Sequence, residues 1–314
     1  MDNLLTSYFS GELKCALENI TSDDVTEIRL RLNFPVTIIC FEKIFYLMQN
    51  GGLSASVNSK CIIADEQCIK KTFESICRYS IHSYQNDICR GFVTIKGGHR
   101  VGICGTAVTH NGEITNIKDI SSLNFRIARQ VKNCSEELYN TAYSSGLNNI
   151  LIAGVPSSGK TTLLRDLCRK VSRSHKVSVI DERGEIAAVY SGIPQNDVGI
   201  NTDIFNGYSK AVGIETAVRV MSPEIIFCDE AGGSADMSAF EYALSSGVYL
   251  AVTIHAECLN DIIKKVPFYQ SFDYIFFLDK YCVSNIVRKC DYDKIDLLNS
   301  DNYNNVINGK LFCS

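Results

Sequence analysis

No two of the fourteen cysteines in this 314-residue sequence are spaced C-x-x-C, so the spacing of a structural zinc site is missing. Spread over so long a chain, cysteine reads as a small core hydrophobe rather than as a disulfide framework. No stretch approaches ~18 unbroken apolar residues, and no bilayer span is expected. Met1-Asp2-Asn3-Leu4 lacks the basic-then-apolar opening of a secretory signal. Neither sign of charge dominates: 31 Lys plus Arg against 35 Asp plus Glu leave −4. That balance argues against a surface built to adhere to nucleic acid, and no basic run interleaved with aromatics appears. Repeats and low-complexity tracts are absent too. What remains is a reduced, cytosolic, globular chain, long enough for two domains that bury their cores without staples.

The grammar of the two halves differs. Residues 1–20 carry apolar side chains at helical spacing, and Thr26 to Ile39 reads as two short strands around Pro35. Glu66 to Tyr79 is helical in pattern, with Ile69, Phe73, Ile76 and Cys77 on one face. Residues 88–118 then read as a three-stranded antiparallel meander, turning at Gly97-Gly98 and at Asn111-Gly112, where positive φ is tolerated. An α+β domain over 1–145 is therefore expected, ending in the linker Ser144-Ser-Gly-Leu-Asn148. From 146 to 314 short apolar strands (150–153, 177–180, 225–228, 249–254) alternate with helices, the signature of an α/β domain with a parallel-rich sheet. Beyond about Asp291 the chain is polar and unassigned.

Gly154-Val155-Pro156-Ser157-Ser158-Gly159-Lys160-Thr161 matches G-x-x-x-x-G-K-[ST] between an apolar strand and a helix. Such a loop turns backbone N–H groups toward a polyphosphate at a helix N-terminus. Lys160 is expected on the β/γ oxygens and the Thr161 hydroxyl on Mg²⁺. A carboxylate is then needed at a neighbouring strand end, and Ile225-Ile-Phe-Cys-Asp229-Glu230 supplies two: Asp229 for the metal shell, Glu230 to polarise water. The strand ending Asp181-Glu182-Arg-Gly-Glu185 brings further acids, so that Asp181 or Glu182 faces the same Mg²⁺ and water. Ala251-Val-Thr253-Ile-His255 closes a later strand with a lone histidine, which is in most such cases structural and on this edge could instead sense the γ-phosphate or link it to a neighbouring domain.

This order of motifs resembles the secretion ATPase superfamily, whose secretion and pilus-retraction motors carry Walker A, Asp box, Walker B and His box in sequence. Residues 181–185 line up with its Glu-Asp-Pro-x-Glu box, with Arg183 in the proline position. A narrower resemblance, over nearly the full length, is to the stage III sporulation protein AA family of endospore-forming bacteria. It is carried by Glu27-Ile-Arg-Leu-Arg31, Gly91-Phe-Val-Thr-Ile-Lys-Gly-Gly-His-Arg-Val-Gly102, Phe125-Arg-Ile-Ala-Arg129, Gly159-Lys-Thr-Thr-Leu-Leu-Arg-Asp166, Asp181-Glu-Arg-Gly-Glu-Ile186 and Met221-Ser-Pro-Glu-Ile-Ile-Phe-Cys-Asp-Glu230.

The resemblance implies a RecA-like P-loop ATPase domain using ATP and Mg²⁺. Nucleotide would be bound by residues 154–161 and Thr162, and the metal by Thr161 and Asp229. Glu230, Asp181, Glu182 and His255 would form the catalytic group, joined by an arginine of the first domain, Arg126 ahead of Arg100 and Arg129. It also implies a hexameric ring on the cytosolic face of a membrane, mother-cell side. There it would meet integral-membrane components of a channel between mother cell and forespore, with no nucleic-acid partner. The sequence departs from the family at Ser157-Ser158, where glycine is usual, and at Ala231 after the Asp-Glu pair. Two other readings stay open: a nucleotide-dependent scaffold with negligible turnover, which Ser157-Ser158 would permit, and a small-molecule P-loop kinase, for which no arginine-rich lid is seen.

Overall fold

A computed structural model describes residues 3–20 and 24–291; the polar stretch beyond them lies outside the described residues. Two compact units divide the chain. The first takes residues up to Arg129 together with 188–196; the second takes 130–187 and resumes at Asp197. The boundary expected at 145/146 falls inside the second unit. The reason is local: Asn133 and Ser135 donate backbone N–H groups to the Asp166 carboxylate at 3.0 and 2.9 Å, so the chain joins the second unit well before 145.

In the first unit, short helices α1 (Asn3–Thr6) and α2 (Gly11–Glu18) precede strands β1 (Val25–Arg31), β2 (Phe34–Pro35), β3 (Thr37–Cys40), β4 (Lys43–Leu47), β5 (Leu53–Ser54) and β6 (Ile63–Ala64). Helices α3 (Glu66–Ile76) and α4 (Gln85–Cys89) lead into β7 (Phe92–Thr94), β8 (Arg100–His110) and β9 (Glu113–Arg126). The meander expected from the glycine turns is present, but it is one side of a seven-stranded antiparallel sheet, ordered β5-β4-β3-β1-β9-β8-β7. Strand β9 runs on to Arg126 because its second half pairs with β1, Ile28 opposite Phe125 and Leu30 opposite Leu123. That alternating apolar row is the core of the unit, and Phe9 lies 4.6 Å from the Phe125 ring. Asn111-Gly112 forms the two-residue turn expected, with φ of 52° and 83°. The other turn has three residues, Lys96 to Gly98, closed by the Ile95 N–H donating to His99 O at 2.9 Å.

The second unit opens with α5 (Glu136–Ala142) and continues through β10 (Ile150–Gly154), α6 (Lys160–Val171), β11 (Val177–Asp181), β12 (Thr202–Asn206), α7 (Lys210–Val220), β13 (Ile225–Cys228), α8 (Ser234–Ser245) and β14 (Tyr249–Ile254). Helix α9 (Leu259–Lys265) and strands β15 (Tyr274–Asp279) and β16 (Cys282–Arg288) follow. The sheet order is β12-β11-β13-β14-β10-β15-β16. Every pairing is parallel except the last, β15 with β16. Central strands β10, β11 and β13 are buried along their whole length, which is why they are mostly apolar rather than alternating. Parallel strands share one carboxyl edge, so the ends of β10, β11, β13 and β14 deliver the four motifs to the same side.

Candidate active site

Strand β10 ends at Gly154, and the chain winds through 155–159 into α6. Glycine is required at both ends of this loop. A Cβ on Gly154 would sit 2.7 Å from Ser158 Oγ and 3.0 Å from Leu278 O; Gly159 adopts φ of 94°, left-handed, as the residue before the helix. Ser157 is also left-handed at 62°, so serine in this loop keeps the turn that glycine would make freely. The Ser158 hydroxyl is buried and has no partner among the described residues.

Lys160 folds over the loop, donating to Gly154 O at 2.9 Å, Val155 O at 2.7 Å and His255 Nδ1 at 3.2 Å. An ammonium only donates, so Nδ1 accepts; Nε2 then carries the ring hydrogen and donates to Glu230 Oε1 at 3.2 Å. His255 thus bridges lysine and glutamate. Burial pushes the Lys160 ammonium below its ordinary range, while Asp229 and Glu230 pull it back.

Across the edge, Thr161 Oγ1 donates to Asp229 Oδ2 at 2.6 Å. Thr253 donates to the other oxygen of Asp229 and accepts the Glu230 N–H at 2.8 Å. Glu230 itself is left-handed, φ 52°, which turns its side chain back to His255 on one oxygen and Arg183 on the other. Burial raises the Asp229 carboxyl above the usual carboxylate range; Thr161 and Thr253 oppose the rise, and Glu185 and Glu230 add to it.

The acids at the end of β11 have partners of their own. Asp181, 2% exposed, accepts backbone N–H groups of Glu185, Ile186 and Ala187 at 2.7, 3.2 and 2.8 Å. Arg165 of α6 holds the opposite side of the same loop, donating to Ile186 O and Glu185 O at 2.8 and 2.7 Å. Glu182 pairs with buried Lys210 at 2.6 Å. Asp181 or Glu182 was expected to face the Mg²⁺ and water; Asp181 shapes the loop that carries Arg183, Glu182 ties that loop to α7, and both line one cavity with Asp229 and Glu230. Val155 and Pro156 are exposed on the phosphate loop, and Thr162 is half-buried at the start of α6. Arg126 is exposed at the end of β9, Arg129 donates to Val25 O at 3.2 Å, and Arg100 lies 4.6 Å above the Phe92 ring, all within the first unit.

Thr253, Arg165 and Lys210 were not singled out from the sequence. Thr253 was within reach of sequence reasoning: it lies two residues before His255, near the end of β14. Arg165 and Lys210 carry no local signal; only the packing of α6 and α7 reveals them.

This constellation on the carboxyl edge of a parallel sheet defines a P-loop protein with the RecA-like fold of the secretion ATPases. The X-ray structure of the Legionella pneumophila ATPase DotB matches at a TM-score of 0.54, with 14% identity, over 83% of this chain and 74% of that one. The pilus retraction motor PilT with bound ADP matches at 0.55, with 14% identity, over 81% and 74%. A family model described as sporulation stage III, protein AA, covers residues 4–295. Stage III sporulation protein AA of Bacillus subtilis (strain 168) is 35% identical over 272 residues, 84% of each chain. The chain belongs to the sporulation stage III protein AA family.

Proposed function

We propose that the chain is a Mg²⁺-dependent ATPase working in a ring on a sporulation channel. One observation carries the reading: Thr161 Oγ1 lies 2.6 Å from Asp229 Oδ2, with Lys160 and Glu230 joined through His255 beside them. The donors are oxygens of a hydroxyl and a carboxylate, a set that suits a small hard cation completed by water and phosphate oxygens. When bound, Mg²⁺ would neutralise charge on the phosphates. The chain does the rest. Lys160 exchanges loop carbonyls for phosphate oxygens, the buried Ser158 hydroxyl gains a partner, and Glu230 takes the proton of an attacking water. Arg126 is the arginine assigned to complete the site. No helix among the described residues is long and apolar enough to cross a membrane. In this proposal integral-membrane partners hold the chain on the cytosolic, mother-cell side. The reading draws on the sporulation family the chain belongs to and on the ATPase and the pilus retraction motor that share its fold.

Phosphate release and nucleotide binding by the purified chain test the proposal. Glu230→Gln is expected to bind MgATP and to lose turnover by about 10²–10⁴-fold, and Lys160→Ala to lose binding. Wild-type turnover no faster than Lys160→Ala, or Glu230→Gln as fast as wild type, sinks it.

A further inference from the structure

Strand β15 returns into β16 through the two-residue turn Lys280-Tyr281, between the paired residues Asp279 and Cys282. Both turn residues are left-handed, with φ of 45° and 72°. Asn and Gly take such positions cheaply; a tyrosine there is an outlier that its surroundings must hold. The surroundings are the phosphate loop. The Tyr281 N–H donates to Ser158 O at 3.2 Å, and a Cβ built on Gly159 would lie 2.8 Å from Tyr281 Cδ1. Yet Tyr281 is 75% exposed, so core packing does not explain why a ring is placed there.

We propose that Tyr281 stacks on the purine ring of the bound nucleotide. This rests on the reading of residues 154–161 as a phosphate loop. A nucleotide held by its phosphates in that loop extends its sugar and base outward past the rim, and Tyr281 is an aromatic side chain fixed at the rim with its surface open. Stacking draws on the π-face and needs no hydroxyl, so phenylalanine serves equally. The turn then has a reason to bear its strain: it ties base recognition to the backbone of Ser158, within the loop that grips the phosphates.

Calorimetric titration of the full chain with ATP and with inorganic tripolyphosphate, both with Mg²⁺, tests this. Tyr281→Ala is expected to weaken ATP about tenfold and leave tripolyphosphate within about twofold, while Tyr281→Phe matches wild type for both. Unchanged ATP affinity in Tyr281→Ala overturns the proposal. So does an equal loss for tripolyphosphate, which would make Tyr281 a support for the loop, or a Phe variant as weak as Ala. The sequence contains no tryptophan, so Tyr281→Trp introduces a sole indole. Its fluorescence is expected to respond to ATP and not to tripolyphosphate; an equal response to both counts against stacking. Wild type binding neither ligand would instead remove the phosphate-loop reading, and this proposal with it.

Discussion

A single buried carboxylate shows how the site sets function against stability. Asp229 sits among two threonine hydroxyls and two further acids, and burial holds its pKa above the ordinary value. A carboxyl raised on folding stabilises the protein below its unfolded pKa, and that contribution is lost as pH rises through the folded value. At neutral pH the charged form therefore works against the fold. Asp229→Asn keeps an oxygen for the neighbouring hydroxyl and amide and drops the charge. It is expected to raise Tm near pH 8, with the gain shrinking toward about pH 4, and to abolish Mg²⁺-dependent nucleotide binding. Melting curves across that range check it; a lowered Tm at neutral pH would show that charge, not only hydrogen bonding, stabilises the position.

Among the elements, α6 has two jobs. Its N-terminus begins with Lys160 and Thr161, and its middle clamps the chain entering the second unit. Asp166 accepts from Ser135 N and Oγ at 2.9 and 2.7 Å and from Asn133 N at 3.0 Å, and it pairs with Arg169 at 2.6 Å. Burial disfavours the charge, yet the Ser135, Arg169 and Asn133 hydrogen bonds outweigh it and hold the pKa at about 2. A depressed carboxylate stabilises above its unfolded pKa, and the contribution fades as pH falls from about 4 toward 2. Its size is about 2 kcal/mol. Asp166→Asn leaves Arg169 buried without its charge partner, so a loss of about 3 kcal/mol at pH 7 is expected. Denaturant unfolding at pH 7 and pH 3 checks both points: the variant should lie well below wild type at the first and approach it at the second.

Over the whole molecule, the chain passes between units three times, after Arg129, after Ala187 and after Asn196. The second crossing leaves directly from the loop caged by Asp181, whose Arg183 pairs with Glu230. If the chain works as a ring, light scattering with MgATP is expected to give about six times the subunit mass, and Glu230→Gln should hold that assembly longer than wild type. A mass of one subunit with and without nucleotide, alongside phosphate release, would exclude the ring while leaving the ATPase.

The sequence by itself determined the parallel sheet and the glycine-bounded loop that follows its first strand. Short, mostly apolar runs at 150–153, 177–180, 225–228 and 249–254, separated by helical segments, have one stable use, as strands covered on both faces. The spacing of glycines around Lys160 has a backbone reason that composition cannot hide. It also determined the turn at Asn111-Gly112, where φ alone decides. Tertiary structure decided what depends on partners distant in sequence: the extension of β9 alongside β1, the early entry of the chain into the second unit through Asp166, and Lys210 as the partner of Glu182. It also gave the acids their partners. Asp181 and Glu182 read alike as strand-end carboxylates, and only the fold brings three backbone N–H groups to the first and a buried ammonium to the second. Hydrogen bonds to groups remote in the chain leave no periodicity to read.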